Sequence, residues 1–558
     1  MLYYLPFWPA DKIYEEFDPT SERKAGPTKY LWEVFPAPPI DGILVSRANL
    51  EKHKSLMKSV EEKGIHHVLR FKGPIAADCG AWDYVNEKEP RYDPVETIRF
   101  YRKMGFDIGV TVDHLVVRTI EDKPGKAREL TPEEREYRIM VTLENAKKAF
   151  DEFQKTDYEC MRLIGVAQGV DPESYAKNVH ELVDYGFSYV GLGGLARRPT
   201  DFVERTLAQV RIVLREFSKK GRRVDLHVLG IGRESLLDLM HTTGVTSFDS
   251  ASQLRHAWVA PSDNYYLGEK RYTAIRMRER FDDSEKTKFK KALGMIEELE
   301  KGELQGKRFV DQIVQDFPQY DPKNPRAKRV EETTRVKEEA LYPTFEEKPW
   351  LKCECPICRS LRTHICVFRM SERNMRRGFH NVYQFHKWLR SRYARILVFT
   401  QCSQEKDKTP SLMPAYLRYM PSPIFKTFWS QVSDLPVEIA VLSAKYGLIA
   451  WNQQIAYYDK KMTNEELPAV ERDLREKLRN YDRVYFSGLG LYREAVQRIS
   501  PTLSAPVKIF PRPSLTKRDR LDIIELLKQT KNLRAEIAKD ILHFKSDEEP
   551  QKAITEYS

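Results

Sequence analysis

No apolar run in this 558-residue chain approaches the roughly 20 residues that a membrane-crossing helix needs, which excludes a helical membrane span. The opening Met1-Leu2-Tyr3-Tyr4-Leu5-Pro6-Phe7-Trp8 lacks the basic start and small-residue cleavage site of a secretory signal, so a cytoplasmic location is expected. Cysteines number seven, and four of them fall between Cys353 and Cys366. That distribution excludes a disulfide framework and suits metal ligation in a reducing compartment. No internal repeat of solenoid length occurs either.

What is present points to a soluble, globular chain of roughly two to four domains. Charged residues make up 31% and hydrophobic residues 41% of a chain too long for a single core. The formal net charge is +11, which favours a polyanionic partner such as nucleic acid, because Lys and Arg gain affinity by releasing phosphate counterions. A basic but otherwise ordinary enzyme would carry the same excess.

From about 40 to 260 short β-branched or Gly-terminated runs alternate with amphipathic stretches. Strands are expected at 42–47, 66–71, 75–78, 107–112, 162–167, 188–192, 225–229 and 246–249, and helices at 95–104, 131–155, 172–185, 201–218 and 233–242. Thr131-Pro132-Glu133-Glu134 reads as a capping-box start with Pro in the first helical position. The alternation predicts an α/β fold, a TIM-type (β/α)8 barrel over 1–278. A charged helical linker is expected at 279–349, a zinc-binding segment packed on the barrel at 350–392, and a smaller C-terminal α/β domain at 393–545 with strands at 396–399, 438–442, 483–486 and 507–510. Residues 515–545 read as a charged helix and 546–558 as a disordered tail.

Cys353-Glu354-Cys355-Pro356-Ile357-Cys358 offers three thiolates in C-x-C-x-x-C spacing, and zinc prefers four tetrahedral N/S ligands. His364, His380, His386 and Cys366 are within reach of the fourth position. His380 is preferred because it opens an expected helix that could fold back over the loop. The site reads as structural, and buried cysteines without metal are the duller alternative.

Two aspartates, Asp78 in Pro74-Ile75-Ala76-Ala77-Asp78-Cys79-Gly80 and Asp249 in Thr246-Ser247-Phe248-Asp249-Ser250, each end a strand-like run and are followed by small residues. A parallel barrel presents its working side chains at such strand ends. Paired carboxylates there suit substitution at a sugar C1′, one as nucleophile and one as proton donor and acceptor. A lone Asp after a strand is more often a helix N-cap. Val112-Asp113-His114, Ala167-Gln168-Gly169, Gly191-Leu192-Gly193-Gly194 and His227-Val228-Leu229-Gly230 end further runs, and their carboxylate, amide and bare backbone could read the edge of a purine-like base.

In order over about 40–390, Asp78-Cys79-Gly80, Asp113, Gln168-Gly169, Gly193-Gly194-Leu195-Ala196, Gly230-Ile231-Gly232, Phe248-Asp249 and the Cys-x-Cys-x-x-Cys…His380-Asn381 segment resemble the tRNA-guanine transglycosylase superfamily. Within it, Asp78-Cys79-Gly80-Ala81, Gly193-Gly194-Leu195-Ala196-Arg197-Arg198 and Ser247-Phe248-Asp249-Ser250-Ala251-Ser252 look like the DpdA branch, which inserts 7-deazaguanine bases into DNA. The resemblance implies Asp249 as nucleophile and Asp78 as general acid/base. It implies Asp113, Gln168, Gly193 and Gly194 as base-recognition groups, Leu229 packing on the heterocycle, and Cys353, Cys355, Cys358 and His380 as zinc ligands. It further implies a nucleic-acid partner (DNA over tRNA), a free 7-deazaguanine as co-substrate, and no redox or nucleotide cofactor. A queuosine- or archaeosine-type tRNA enzyme and a non-catalytic accessory subunit stay open as alternatives, as do helper proteins and a homodimer. Cys79-Gly80-Ala81-Trp82 departs from the usual Ser-Gly-Gly-Phe-Gln, and no basic β-domain of the archaeal tRNA type follows. In the C-terminal domain, Cys402-Ser403-Gln404-Glu405-Lys406 and Ser443-Ala444-Lys445-Tyr446-Gly447-Leu448 lie where doubly wound sheets bind ligands.

Overall fold

The fold is seen in a computed structural model that describes residues 1–123, 126–155, 158–277, 283–317, 338–368, 371–479 and 481–529. Eight strands form a closed barrel: β1 (Leu2–Pro6), β2 (Gly42–Ser46), β3 (Ile75–Asp78), β4 (Ile108–Val110), β5 (Arg162–Ala167), β6 (Tyr189–Leu192), β7 (Asp225–Val228) and β8 (Val245–Asp249). They follow one another around the barrel in chain order, and the pairings from β3 through β8 are parallel. Between them run α1 (Pro94–Met104), α2 (Pro132–Phe153), α3 (Pro172–Tyr185), α4 (Thr200–Lys219) and α5 (Glu234–Thr242).

Local chemistry sets the helix starts. Asp93 accepts from Val95 N and Glu96 N, both at 2.9 Å, with Pro94 in the first turn. The expected capping box forms: Thr131 Oγ1 accepts from Glu134 N at 3.2 Å, and Glu134 accepts from Thr131 N at 2.9 Å. Barrel strands such as β6 and β7 are buried at every position, as in a sheet covered on both faces.

One strand is elsewhere than expected. Residues 66–71 were expected to be extended, but Ile65–Leu69 is a helical turn. Ile65 and Leu69 are both fully buried four residues apart while His67 is exposed, a helical and not an alternating pattern. The eighth barrel strand is instead β1, whose Tyr3, Tyr4 and Leu5 are all buried.

The C-terminal α/β pattern is present as expected. Strands β9 (Ile396–Gln401), β10 (Glu438–Ser443), β11 (Gly447–Ala450), β12 (Arg483–Ser487) and β13 (Val507–Phe510) form one sheet in the order β11-β10-β9-β12-β13, with β11 antiparallel. Strand alternation feeds two cores. Ile396 and Val398 pack with Phe425, Phe428 and Ile524, from the helices Pro423–Val432 and Lys517–Gln529. Leu397 and Phe399 pack with Leu474 and Val496, from the helices Leu467–Leu478 and Gly490–Ile499.

By contacts the chain divides into two compact units, residues 1–2, 44–249 and 392–558, and residues 3–43 and 250–391. Within the first, the C-terminal domain is tied to the end of the barrel where strands begin. Arg223 donates to the carbonyls of Leu435 at 2.9 Å and Val437 at 2.7 Å, Asn452 donates to Asp225 at 2.9 Å, and Cys160 N donates to Gln454 O at 2.8 Å. The strand ends that carry Asp78 and Asp249 are at the opposite rim. The second unit holds an antiparallel pair, Lys12–Asp18 with Arg23–Tyr30, and the helices Asp283–Lys301, Gly306–Asp316 and Ser371–Arg392. His380 therefore sits inside a 22-residue helix and does not open one, correcting the sequence-based expectation. The expected tail at 546–558 and the last part of the 515–545 helix lie outside the described residues. No helix among the described residues is long and apolar enough to cross a membrane.

Candidate active site and metal centre

The barrel mouth brings Asp78, Asp113 and Asp249 together. Asp113 and Asp249 are buried, at 3% and 5% exposure, whereas Asp78 stays partly open. Gly80 follows Asp78 with φ +86°, and a Cβ there would lie 2.4 Å from Ser46 Oγ and 2.7 Å from Ala48 Cβ. Only glycine makes that turn, and its N–H donates back to Asp78 Oδ2 at 3.0 Å.

Burial raises the Asp78 carboxyl to about 7, with further upward pushes from Asp113 and Asp249 that outweigh the Gly80 and Cys79 N–H groups. Burial likewise lifts Asp113 to about 6, against the pull of Gln168 and Cys79. Carboxylates crowded this way cannot all ionise cheaply, and a proton is held among them near neutral pH.

Asp249 is held by one oxygen. Its Oδ1 accepts from Gly230 N at 2.8 Å and meets His227 Nε2 at 3.2 Å, while Oδ2 makes no hydrogen bond among the described residues. His227 Nδ1 lies 2.7 Å from Ser247 Oγ, which lies 2.5 Å from Tyr189 OH. With Asp249 ionised, the contact requires the Nε2–H tautomer, so Ser247 donates to Nδ1 and accepts from Tyr189. Gly230 can offer its N–H because the chain turns there at φ +74°.

The other residues singled out in the sequence lie around this pair. Gln168 Nε2 donates to Asp113 Oδ2 at 2.7 Å, and its Oε1 accepts from Val116 N at 3.3 Å, which fixes the amide's orientation. Gly194 has φ +74°, and a Cβ on it would lie 2.6 Å from Gln168 Oε1; one on Gly193 would lie 2.3 Å from Nε2. Both glycines thus leave room for the Gln168 side chain. Tyr175 OH donates to Gly193 O at 2.7 Å. Leu229 is half-buried, its N–H on Leu192 O at 3.1 Å. Arg198 turns inward to Val116 O at 3.3 Å, while the Arg197 guanidinium lies 4.5 Å over the half-exposed Trp82 ring.

Three groups escaped the sequence reading. Cys79 Sγ is fully buried, donates to Asp113 Oδ1 at 3.3 Å and contacts Tyr84 OH at 3.0 Å, while Tyr84 OH also donates to Asp113 O at 2.9 Å. Burial and the two carboxylates push the thiol well above its usual range, so it acts as a donor and not as a thiolate. His227, which orients Asp249, is the third. The Asp-Cys-Gly departure from Asp-Ser-Gly was the visible signal for Cys79.

In the second unit, one ligand atom each from Cys353, Cys355, Cys358 and His380 lies within 4.8 Å of the others, and all four residues are buried. His380 Nδ1 is 3.3–3.7 Å from the three sulfurs, close to the edge of about 3.5 Å expected between N and S ligands of a tetrahedral zinc. His380 Nε2 donates to Tyr266 O at 2.6 Å, which leaves Nδ1 for a metal. Gln384 Nε2 donates to Cys353 Sγ at 3.1 Å, and Cys358 N to Cys355 Sγ at 3.3 Å. These donors stabilise thiolate charge, and the group could hold a metal ion. Of the other candidates, His386 lies beside Asp41, His364 beside Arg373, and the buried Cys366 stands outside the four-ligand group.

No protein-family model matches the chain. It is similar to a DNA-guanine transglycosylase of Salmonella montevideo, 31% identical over 380 residues, which covers 63% of this chain and 86% of that protein. It is also similar to tRNA-guanine(15) transglycosylases of Methanocaldococcus jannaschii, 26% identical over 231 residues, and Pyrococcus furiosus, 27% identical over 231 residues. Those matches cover 41% and 40% of this chain and 33% and 35% of the archaeal proteins, about a third of their length.

Proposed function

The chain belongs to the guanine transglycosylase superfamily, with a relative on its DNA-modifying branch, and we propose that it replaces guanine in DNA by a 7-deazaguanine base. The observation that carries the reading is the unequal carboxylate pair. Asp249 is pinned through one oxygen and free at the other, and Asp78 holds a proton near neutrality.

The target guanine is extruded from the duplex into the barrel mouth, at a cost of a few kcal/mol in stacking and pairing. Asp113 and Gln168 accept from and donate to the base edge, and Leu229 packs on its face. Asp249 Oδ2 attacks C1′ as the C1′–N9 bond breaks, and the electron pair leaves with the base. Asp78 delivers its proton to the departing guanine. The carboxylate then takes the N9 proton of the incoming 7-deazaguanine, whose nitrogen attacks C1′ and releases Asp249. Two inversions retain the configuration. Arg197 and Trp82 at the rim offer a cationic and stacking surface for the strand. Cys353, Cys355, Cys358 and His380 would hold a zinc ion, which supplies a structural cross-link of its own unit.

Mass spectrometry of nucleosides from cells carrying the chain tests this reading. A 7-deazaguanine deoxynucleoside in DNA, absent with Asp249→Ala, is the expected result. The modified base in tRNA alone would replace the reading with a tRNA enzyme, and in neither with an accessory subunit.

A further inference from the structure

The two loops assigned to base reading are braced from behind by one face of α3. That helix follows Gln168 directly and starts on a cap in which Asp171 accepts from Ser174 N at 2.8 Å. Tyr175 and Asn178 stand three apart on it and so share a face. Asn178 Nδ2 donates to Gln168 O at 2.8 Å, and Tyr175 OH donates to Gly193 O at 2.7 Å. One helix thus holds the backbone of both the Gln168 loop and the Gly193-Gly194 loop.

Tyr175 is closely fitted to its bond. It is fully buried, and a Cβ on Gly169 would lie 2.6 Å from its ring, one on Gly194 3.3 Å from its oxygen. Burial pushes its proton affinity well up, so the hydroxyl stays neutral and donates. The Gly193–Gly194 peptide is trans, and its C=O and N–H therefore point in opposite directions. With the carbonyl tied to Tyr175, the Gly194 N–H points away from that ring. It has no acceptor among the described residues, and Gly194 is partly exposed at the barrel mouth.

The chemistry of the two bases says what this N–H meets. An ionised Asp113 only accepts, so it takes the hydrogens of a guanine edge. The acceptors beside those hydrogens are O6 and N7, and a 7-deazaguanine has carbon in place of N7. A donor that serves both the departing and the incoming base is left with O6.

We propose that Tyr175 is a positioning residue for base selection, fixing the Gly193–Gly194 peptide so that the Gly194 N–H donates to the 6-oxo group of the base. The inference rests on the base-exchange reading and adds to it a residue that touches no base itself. Tyr175 acts through the peptide, and its effect is confined to ligands that carry the oxo group.

Equilibrium dialysis of the full chain with labelled guanine, beside fluorescence titration with 2-aminopurine, which lacks the 6-oxo group, tests this. Tyr175→Phe keeps the ring in place and loses only the hydroxyl. It weakens guanine binding by about tenfold, the scale of one hydrogen bond, and leaves 2-aminopurine binding unchanged. In exchange assays KM for guanine rises while kcat moves little. A second readout needs no variant: in the wild type, hydrogen exchange at the Gly194 amide slows under saturating guanine and not under 2-aminopurine. Tyr175→Phe weakening both ligands equally, or neither, overturns the positioning role, as does Gly194 exchange indifferent to guanine. Each of those results leaves base exchange standing, whereas a wild type that binds no guanine overturns both.

Discussion

The backbone N–H of Gly230 donates to Oδ1 of Asp249 at 2.8 Å, and that bond leaves Oδ2 as the free oxygen of a buried carboxylate. In the proposed mechanism Asp249→Ala removes the attacking oxygen without touching the rim. Base exchange falls to background, while DNA affinity and the thermal midpoint stay near wild type. Exchange kinetics beside a filter-binding assay checks both halves.

Asp78 calls for a different test, because the proposed mechanism has it act through a proton. Asp78→Asn keeps the shape and the bond to Gly80 but cannot pass a proton. It lowers kcat/KM by roughly 10²–10⁴-fold, the range for loss of a general acid–base group. Steady-state kinetics at saturating DNA separates this from a binding defect.

The pH profile follows from the same two groups. In the proposed mechanism Asp113 must be ionised to accept from the base, which sets a limb near its raised value of about 6. In the same mechanism Asp78 must be protonated to release guanine, which sets a falling limb near about 7. The kcat/KM profile is therefore a narrow bell between them. Stability runs one way only. A carboxyl raised in the folded state costs nothing below its unfolded pKa, so stability falls from about pH 4 as pH climbs to about 7. Asp78→Asn thus raises the thermal midpoint in mildly alkaline buffer and changes it little in acid.

Gly194→Ala forces a Cβ to 2.6 Å from Gln168 Oε1 at a backbone φ of +74°. The strain is roughly 1–3 kcal/mol, and it turns the Gln168 amide away from Asp113. KM for the incoming base rises more than kcat falls, as read by varying free base at fixed DNA.

In the other unit, Cys358→Ser would leave three of the four proposed zinc ligands and alter the contact to Tyr265 OH at 3.2 Å. Bound zinc, measured by elemental analysis, drops below stoichiometric, and stability falls on the order of a few kcal/mol. A strong chelator reproduces the stability loss in the wild type.

Much of this was legible in the chain because strand-end residues announce themselves. Asp78 and Asp249 each close an apolar run before small residues, and the three-cysteine spacing is compact. What stayed hidden depends on partners distant in sequence. His227 shares its strand with residues buried on both faces, so nothing marked it as the group meeting Asp249 twenty-two positions away. Cys79 passed as a serine replacement until Asp113 lay beside its thiol. Strand β1 was missed because it is five residues long, ends in Pro6 and precedes β2 by a gap that breaks the β-α rhythm. The run at 66–71 misled because Ile65 and Leu69 serve one helical face.

The central claim is that Asp249 and Asp78 exchange a guanine carried by DNA. Incubating the chain and its Asp249→Ala variant with labelled guanine, separately with duplex DNA and with tRNA, tests it most directly. The account predicts label in DNA from the wild type and none from Asp249→Ala. Undiminished label from Asp249→Ala, or label in tRNA alone, would contradict it.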